Sequence, residues 1–407
     1  MAELKSVYSP LRLAKAAKAS VSTRWKIWKF GSYGEHRFKD DARFNLQNVT
    51  EGFRSRLDTS TDDTELLQRI CAAYSRAIQQ ERLAAKAYTA PERWQKLRQS
   101  SLGPVIRALL ASDINTLQRM YRNFYRDTCS SGLLGAPNGM SKEYFGGPIR
   151  DIYRRFYLSH VLCRFDYWEE MTDHRFTLRE LAGPGVGNPF GVVIDGTHIG
   201  VGSEYAHYCA QRIIGLRPME GSKIAEIGTG FGGMAYYLLR DLPKACYIGF
   251  DLPENIALTT YYLMKAFPQL NFALYGEQDI TGALAQANVV LLPVFELANM
   301  PAESVNITFS CRPLSDGSQY GAGEYLTRTA RMTKDHFLYI DKQRNADFVA
   351  ETLDRNHPSL KLVETRNSGW LSHKVSGAGV GGAAGLADSI VLERWYTQSS
   401  KTDTSDK

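Results

Sequence analysis

Residues 223–251, KIAEIGTGFGGMAYYLLRDLPKACYIGFD, decide how the rest of the chain is read. The run KIAEIG predicts a strand, the glycines from Gly228 a loop, residues 232–240 a helix, and CYIGFD a second strand. Glycine suits such a loop because the backbone must turn tightly with residues at positive φ, and because a ligand approaches main-chain atoms where a Cβ would collide. The second strand ends in Asp251, 23 residues past Gly228, as expected of a carboxylate that accepts hydrogen bonds from both ribose hydroxyls of a nucleoside.

Outward from this unit, strands and helices alternate from about residue 204, which argues for a parallel sheet with crossover helices. Further strands are predicted at 271–276, 288–295, 305–310, 336–341, 360–365 and 389–395. Helices are predicted at 204–215, 254–266, 321–333 and 345–355. Upstream, GPGVGNPFGVVIDGTHIGVGSEY demands turns, and GVVIDGTHI predicts a hairpin about Asp195–Gly196. Before it, 65–88, 114–134 and 149–171 read as helices behind Ser60–Asp63, Asp113 and Pro148. The expected organisation is a helical N-terminal domain over 1–182, a linker and hairpin over 183–203, the nucleoside-binding domain over 204–396, and a disordered polar tail over 397–407.

Two nucleoside cofactors fit the central unit, NAD and S-adenosylmethionine. A dinucleotide loop leaves the residue before its first glycine small or apolar and uses the helix N-terminus for a pyrophosphate. Here an acid, Glu226, precedes Gly228 by two residues, placed to receive the ammonium of an amino-acid cofactor. The end of the chain agrees, because LKLVET and SIVLERW follow one another without a helix-patterned crossover, as in the terminal hairpin of a methyltransferase sheet. The glycine tract 374–385 contains a formal GxGxxG, but only 25 residues follow Gly382, too few for a second βαβ unit. It reads as a loop between the last two strands.

Composition sets the outer bounds. At 407 residues the chain exceeds what one hydrophobic core usually serves, and 43% hydrophobic with 23% charged residues excludes wholesale disorder. There is no apolar run of 18 residues and no secretory h-region in the first thirty, so a soluble, cytoplasmic protein without a transmembrane segment is expected. The six cysteines are 34 to 65 residues apart, never as CxxC, and are read as thiols in a reducing compartment, with no metal site. Residues 5–29 carry Lys5, Arg12, Lys15, Lys18, Arg24, Lys26 and Lys29 together with Trp25, Trp28 and Phe30. A helix packed on its own chain is the favoured reading of that stretch, and weak contact with an anionic membrane surface is the alternative. Basic and acidic residues intermix on the later helices, so no nucleic-acid stripe is expected, and a homo-oligomer is compatible with the sequence.

The segments EIGTGFGGMAYYLL, YIGFDLPENIALTTYYL and NVVLLPVFEL resemble the sugar O-methyltransferase family of class I S-adenosylmethionine-dependent enzymes, with GVGNPFG, EYAHYCAQRI and SGW (368–370) also similar. The resemblance covers about 115–395 and is specific over 200–300. It implies a Rossmann-like α/β sheet of seven strands in the order 3-2-1-4-5-7-6, the last antiparallel, beside a helical partner domain. It further implies that Glu226, Gly228 and Gly230 line the methionine end, that Asp251 holds the ribose, and that Leu252 lies beside the adenine; Thr229 and Phe231 of the same loop are further candidate cofactor contacts, Phe231 as an aromatic to close over adenine or a sugar ring. One departure stands out: where the family shows a serine-aromatic-x-Glu-Met stretch, this chain has Cys311-Arg312-Pro313-Leu314-Ser315-Asp316.

Methyl transfer is an in-line displacement, so a protein must align an acceptor oxygen with the methyl carbon, exclude water and offer a base to a neutral hydroxyl. His207 is the first candidate base, because EYAHYCAQRI should enter the sheet domain facing the cofactor mouth. Asp316 is the second, just past a strand end, and His198 and His373 are loop candidates. Glu296 is placed to meet the adenine amino group, with Glu277 or Asp279 as alternatives if the short strand before them is the true third strand. The expected partner is a small-molecule or glycan acceptor. The rival functions are methylation of a polyketide hydroxyl, carboxylate or amine, NAD-dependent oxidoreduction, and a silent methyltransferase-like binding protein.

Overall fold

The computed structural model describes residues 10–134, 149–311, 319–371 and 390–399. Its first part is helical: α1 (Pro10–Arg37), α2 (Leu46–Gly52), α3 (Thr64–Glu81), α4 (Glu92–Gln99), α5 (Gly103–Ala111), α6 (Ile114–Tyr121) and α7 (Asp151–Met171). Capping residues start two of them, the Asn45 side chain accepting from the Gln47 N–H and Asp113 from the Thr116 N–H. Two sequence expectations are shortened. The helix expected over 65–88 ends at Glu81, and Lys86–Tyr88 forms a separate 3-10 turn because Tyr88 and Ala90 are drawn into an apolar cluster with Leu252 and Phe295. The helix expected over 114–134 ends at Tyr121, where Phe124 and Tyr125 turn inward to pack on Phe231. In both places tertiary burial overrides helix propensity.

The hairpin forms as read: β1 (Gly191–Ile194) pairs antiparallel with β2 (Thr197–Gly200), and Asp195 and Gly196 both take positive φ, as a two-residue turn of the I′ kind requires. The α/β part then runs α8 (Ser203–Ile214), β3 (Lys223–Ile227), α9 (Gly233–Asp241), β4 (Cys246–Asp251), α10 (Pro253–Ala266), β5 (Phe272–Leu274), α11 (Ile280–Gln286), β6 (Val289–Pro293), β7 (Val305–Cys311), α12 (Gln319–Met332), β8 (Thr333–Lys342), α13 (Gln343–Asn356), β9 (Leu360–Ser368) and β10 (Val391–Gln398).

The strands lie in the order β5-β6-β4-β3-β7-β8-β10-β9. β10 runs antiparallel to both of its neighbours and the remaining pairs are parallel. Without β5 this is the expected 3-2-1-4-5-7-6 arrangement. β5 is an eighth strand on the outer edge, where Arg69 donates to the Phe272 carbonyl and Arg76 to the Tyr275 carbonyl, both from α3. These cations occupy acceptors that an open sheet edge would otherwise offer to another strand. β10 also reaches Gln398, so Thr397 and Gln398 belong to the sheet and not to the tail expected from 397 onward.

One apolar cluster runs from Ile27 and Phe30 in α1 through the helices and the sheet to Val391. Polar anchors fasten the helical layer over the sheet. Buried Asp63 meets Arg122 (3.0 Å), Lys265 (2.8 Å) and the Tyr261 hydroxyl (3.0 Å), and Arg98 bridges Glu254 and Glu81. Removing one partner of such a buried pair leaves an uncompensated charge, which makes these anchors costly to break.

α1 packs on α7 at a close crossing, with the Ser159 hydroxyl donating to the Gly31 carbonyl. A Cβ on Gly34 would stand 2.9 Å from the Ser159 Cα and overlap its hydroxyl. Gly34→Ala should therefore destabilise the fold by about 1–3 kcal/mol, as overpacking does. Gly183→Ala, where a Cβ meets nothing within 4 Å, should stay within about 0.5 kcal/mol of the parent. Urea denaturation checks both, and equal midpoints would contradict the crossing.

Candidate functional site

β3 and β4 lie side by side with Ile227 opposite Phe250, and the chain leaves β3 through Gly228, whose N–H donates to the Phe250 carbonyl (2.8 Å). Gly228, Gly230 and Gly232 have φ of 90°, 60° and 93°, the left-handed region that favours glycine. Their surroundings differ. A Cβ on Gly230 would meet no protein atom within 4 Å and one on Gly228 only the Cys311 carbonyl at 3.9 Å, whereas one on Gly232 would press on Thr259 at 3.1 Å. The first two glycines border open space, and the third lets α9 pack closely on α10.

Asp251 closes the other side of that space. Its Oδ2 accepts from the Gly230 N–H (2.9 Å), and its Oδ1 from the Leu252 N–H (2.7 Å) and the Asn255 amide (2.8 Å). The Thr229 hydroxyl is a fourth, more distant donor to Oδ2 (3.5 Å), so it is the long bond that a ligand hydroxyl would displace. Burial pushes the pKa of Asp251 up to about 6, against the pull of those donors. Glu226, two residues before the loop, is buried and accepts from the Tyr247 hydroxyl (2.6 Å). Burial raises it to about 8, the Tyr247 bond opposing the rise and the Asp251 charge adding to it. A site with two carboxylates so costly to ionise suits a ligand that brings positive charge.

The remaining predicted cofactor residues divide by direction. Leu252 is buried with Phe295 and Leu292 beside the end of β4. Glu296 follows Pro293, which pairs with Asp251 in register, and it accepts from Asn299 (2.7 Å). The alternatives are engaged elsewhere, Glu277 with Arg69 and Asp279 as the cap of α11, and the strand before them is the outer edge and not the neighbour of β4. Thr229 and Phe231 turn inward, Thr229 sharing a hydrogen bond with Thr259 (3.1 Å) and Phe231 packing on Phe124, Tyr125 and Tyr262.

The expectation that His207 faces the cofactor mouth does not fit its surroundings. The ring is fully buried between α7, α8 and α9, with Phe176, Tyr237 and Trp168 rings 4.9, 5.3 and 5.5 Å away, and its Nδ1 accepts from the Trp168 indole (3.2 Å). Burial pushes its pKa down to about 4. Tyr205, two positions earlier and thus some 200° around the same helix, is the residue that meets the sheet end. Its hydroxyl lies 3.2 Å from the sulfur of Cys311, the residue whose carbonyl a Cβ on Gly228 would face. Trp370 stands 5.2 Å from Tyr205, covered by the guanidinium of Arg164, which pairs with Glu204. His198 contacts the Gly52 carbonyl beneath α2 (3.3 Å), and burial pushes its pKa too down to about 4. Asp316, His373 and the glycine tract 374–385 lie outside the described residues.

Helix α8 and the ends of β3, β4 and β7 thus meet at the carboxyl edge of a sheet ordered 3-2-1-4-5-7-6, with its terminal strand reversed. The fold is that of the class I methyltransferases. Similar solved structures include the magnesium protoporphyrin IX methyltransferase of Synechocystis with bound S-adenosylmethionine, at 12% identity over 48% of this chain and 79% of that one (TM-score 0.33). A TehB-like S-adenosylmethionine-dependent methyltransferase of Corynebacterium glutamicum is similar at 16% identity over 47% and 87% (TM-score 0.31). A third, an S-adenosylmethionine-dependent methyltransferase of Aquifex aeolicus, matches at 12% identity over 57% and 98% (TM-score 0.32). No protein-family profile matches the chain, and no curated protein does. Among the described residues no cluster of three or more His, Cys, Asp or Glu is placed to hold a metal ion, and no helix is long and apolar enough to cross a membrane.

Sequence reasoning missed Tyr247, Asn255 and the segment Ala84–Ala90. The two-residue alternation of β4 could have brought Tyr247 onto the face of the sheet that Glu226 occupies. Asn255, one helical turn past Asp251, could have been read as its partner. No local signal marks 84–90, which reaches the site by tertiary packing alone.

The raised carboxyl of Glu226 has a readable sign. Its pKa is higher folded than unfolded, so the folded chain keeps a proton that the unfolded chain releases between about pH 4.5 and 8, and this contribution to stability falls as pH rises through that window. Each pH unit of the window corresponds to about 1.4 kcal/mol. Glu226→Gln keeps an acceptor for Tyr247 and cannot ionise, so its stability should decline less than the parent's from pH 5 to pH 8 in thermal melts. Parallel profiles would contradict the assignment.

Proposed function

We propose that the protein is an S-adenosylmethionine-dependent O-methyltransferase whose acceptor is a hydroxyl of a sugar or glycosylated metabolite. The observation that carries the reading is the open cradle over Gly228 and Gly230 with Asp251 at its rim and Glu226 behind it. Space next to main-chain atoms, a carboxylate for vicinal hydroxyls and an acid for an ammonium are what this cofactor asks of a protein. Bound there, it would supply a methyl group on a sulfonium, activated for transfer to a nucleophile.

The chain's own groups would do the rest. Asp251 would orient the ribose, Leu252 and Glu296 would border the adenine, and ionised Glu226 would hold the amino group. Tyr205 beside Cys311 would orient the acceptor next to the loop, and Asp316, five residues past Cys311, would take the acceptor's proton. The enclosure of His207 favours a packing role for it. The sugar class is supported by the sequence resemblance alone, and a mostly apolar acceptor pocket would favour the non-sugar reading.

Calorimetry at pH 8 should show S-adenosylmethionine binding and none by NADH, and tighter NADH binding would overturn the reading. Affinity should rise from pH 6 to pH 8 as Glu226 ionises against a cationic ligand, with proton release visible as a buffer-dependent heat. Asp251→Asn should weaken binding about tenfold to a hundredfold, the worth of one charged hydrogen-bonding group. Asp316→Asn should retain cofactor binding while losing turnover by about a hundredfold or more. Labelled methyl transfer to glycosides and to their aglycones separates the acceptor classes, and labelling of aglycones alone would sink the sugar assignment.

A further inference from the structure

Helix α1 docks on α7 through Ile27, Phe30, Gly31 and Gly34 and turns its opposite face away from the protein. On that face Trp25 and Trp28, one turn apart, are 55% and 57% exposed, although tryptophan is among the residues most often covered. The Lys29 ammonium lies 5.1 Å from the centre of the Trp25 ring, and Arg24 is exposed beside it. The helix holds seven lysines and arginines against one acid, Glu35. It therefore carries the whole of the chain's formal excess of +6, and the other residues balance to zero. Glu35 is engaged by Arg155 of α7 (3.2 Å), and Arg37 by Asp166 (2.8 Å).

Arg24, Lys26 and Lys29 and two solvated indoles thus stand together on the side of α1 turned from α7. Indole rings gain at the headgroup level of a bilayer, where one edge is wet and the other apolar, and clustered cations gain next to anionic headgroups. A second copy of this face would set cations against cations. A nucleic-acid strand would meet the cations, but a single helix face offers no cleft in which a base could be enclosed between the rings. We propose that the outer face of α1 docks the protein on an anionic lipid bilayer, the helix lying flat with Trp25 and Trp28 among the headgroups.

The full chain is tested by flotation and tryptophan emission with vesicles of phosphatidylcholine alone and of phosphatidylcholine and phosphatidylglycerol in equal parts. Binding and a blue shift are expected with the anionic vesicles, and release at 1 M salt, where charges beyond about 3 Å are screened. Lys26→Gln with Lys29→Gln should lower partitioning about fivefold for each charge removed. Trp25→Ala with Trp28→Ala should lower it about tenfold or more and abolish the shift. Both double variants should melt like the parent, because these side chains lie on the outer face. The proposal is overturned by absent binding, by equal binding to neutral vesicles, or by a tryptophan variant that binds as the parent does. Tighter binding to a single-stranded oligonucleotide at the same salt would overturn it as well, as would a dimer in sedimentation equilibrium that depends on Trp25 and Trp28.

Discussion

The bond from the Gly230 amide to the Asp251 carboxylate joins the loop after β3 to the end of β4, and the site depends on that join. It demands a positive φ at Gly230 and a strand pairing that brings Ile227 opposite Phe250. Asn255 and the Leu252 amide hold the same carboxylate from the far side. The group that would meet a ribose is therefore positioned by two backbone amides and the Asn255 side chain, from the loop after β3 and the start of α10, and little reorganisation is left for binding.

Burial gives the two carboxylates of the site a shared character. Each is easier to ionise when a cation is at hand, and neither is paired with an arginine or lysine among the described residues. The contrast with Asp63 and Glu254 is instructive, since those buried acids are matched by Arg122, Lys265 and Arg98 and serve to clamp helices. Acids kept without a cation mark the place where a ligand would bring one.

The central unit was legible because its signals are local. Strand, glycine loop, helix and acid sit within 29 consecutive residues, and φ requirements at glycine do not depend on distant chain. The terminal strand pair and the Asp195–Gly196 hairpin were legible for the same reason. What was not legible depends on distance in sequence. The ends of α3 and α6 are set by where Tyr88, Phe124 and Tyr125 find burial, and β5 joins the sheet through pairing with β6 and arginines of α3 some two hundred residues away. The orientation of α8 is the sharpest case. Amphipathic pattern places residues 203–214 in a helix, but whether Tyr205 or His207 meets the sheet end is fixed by how that helix lies between α7 and α9.

The reversed strand β10 is held on both flanks, by β8 on one side and β9 on the other, while among the described residues β9 pairs with no strand except β10. Assembly of this half of the molecule therefore has a compulsory order. The segment 360–368 has no seat in the sheet until residues 391–398 have been synthesised and inserted, so a growing chain on the ribosome holds that edge open until β10 arrives.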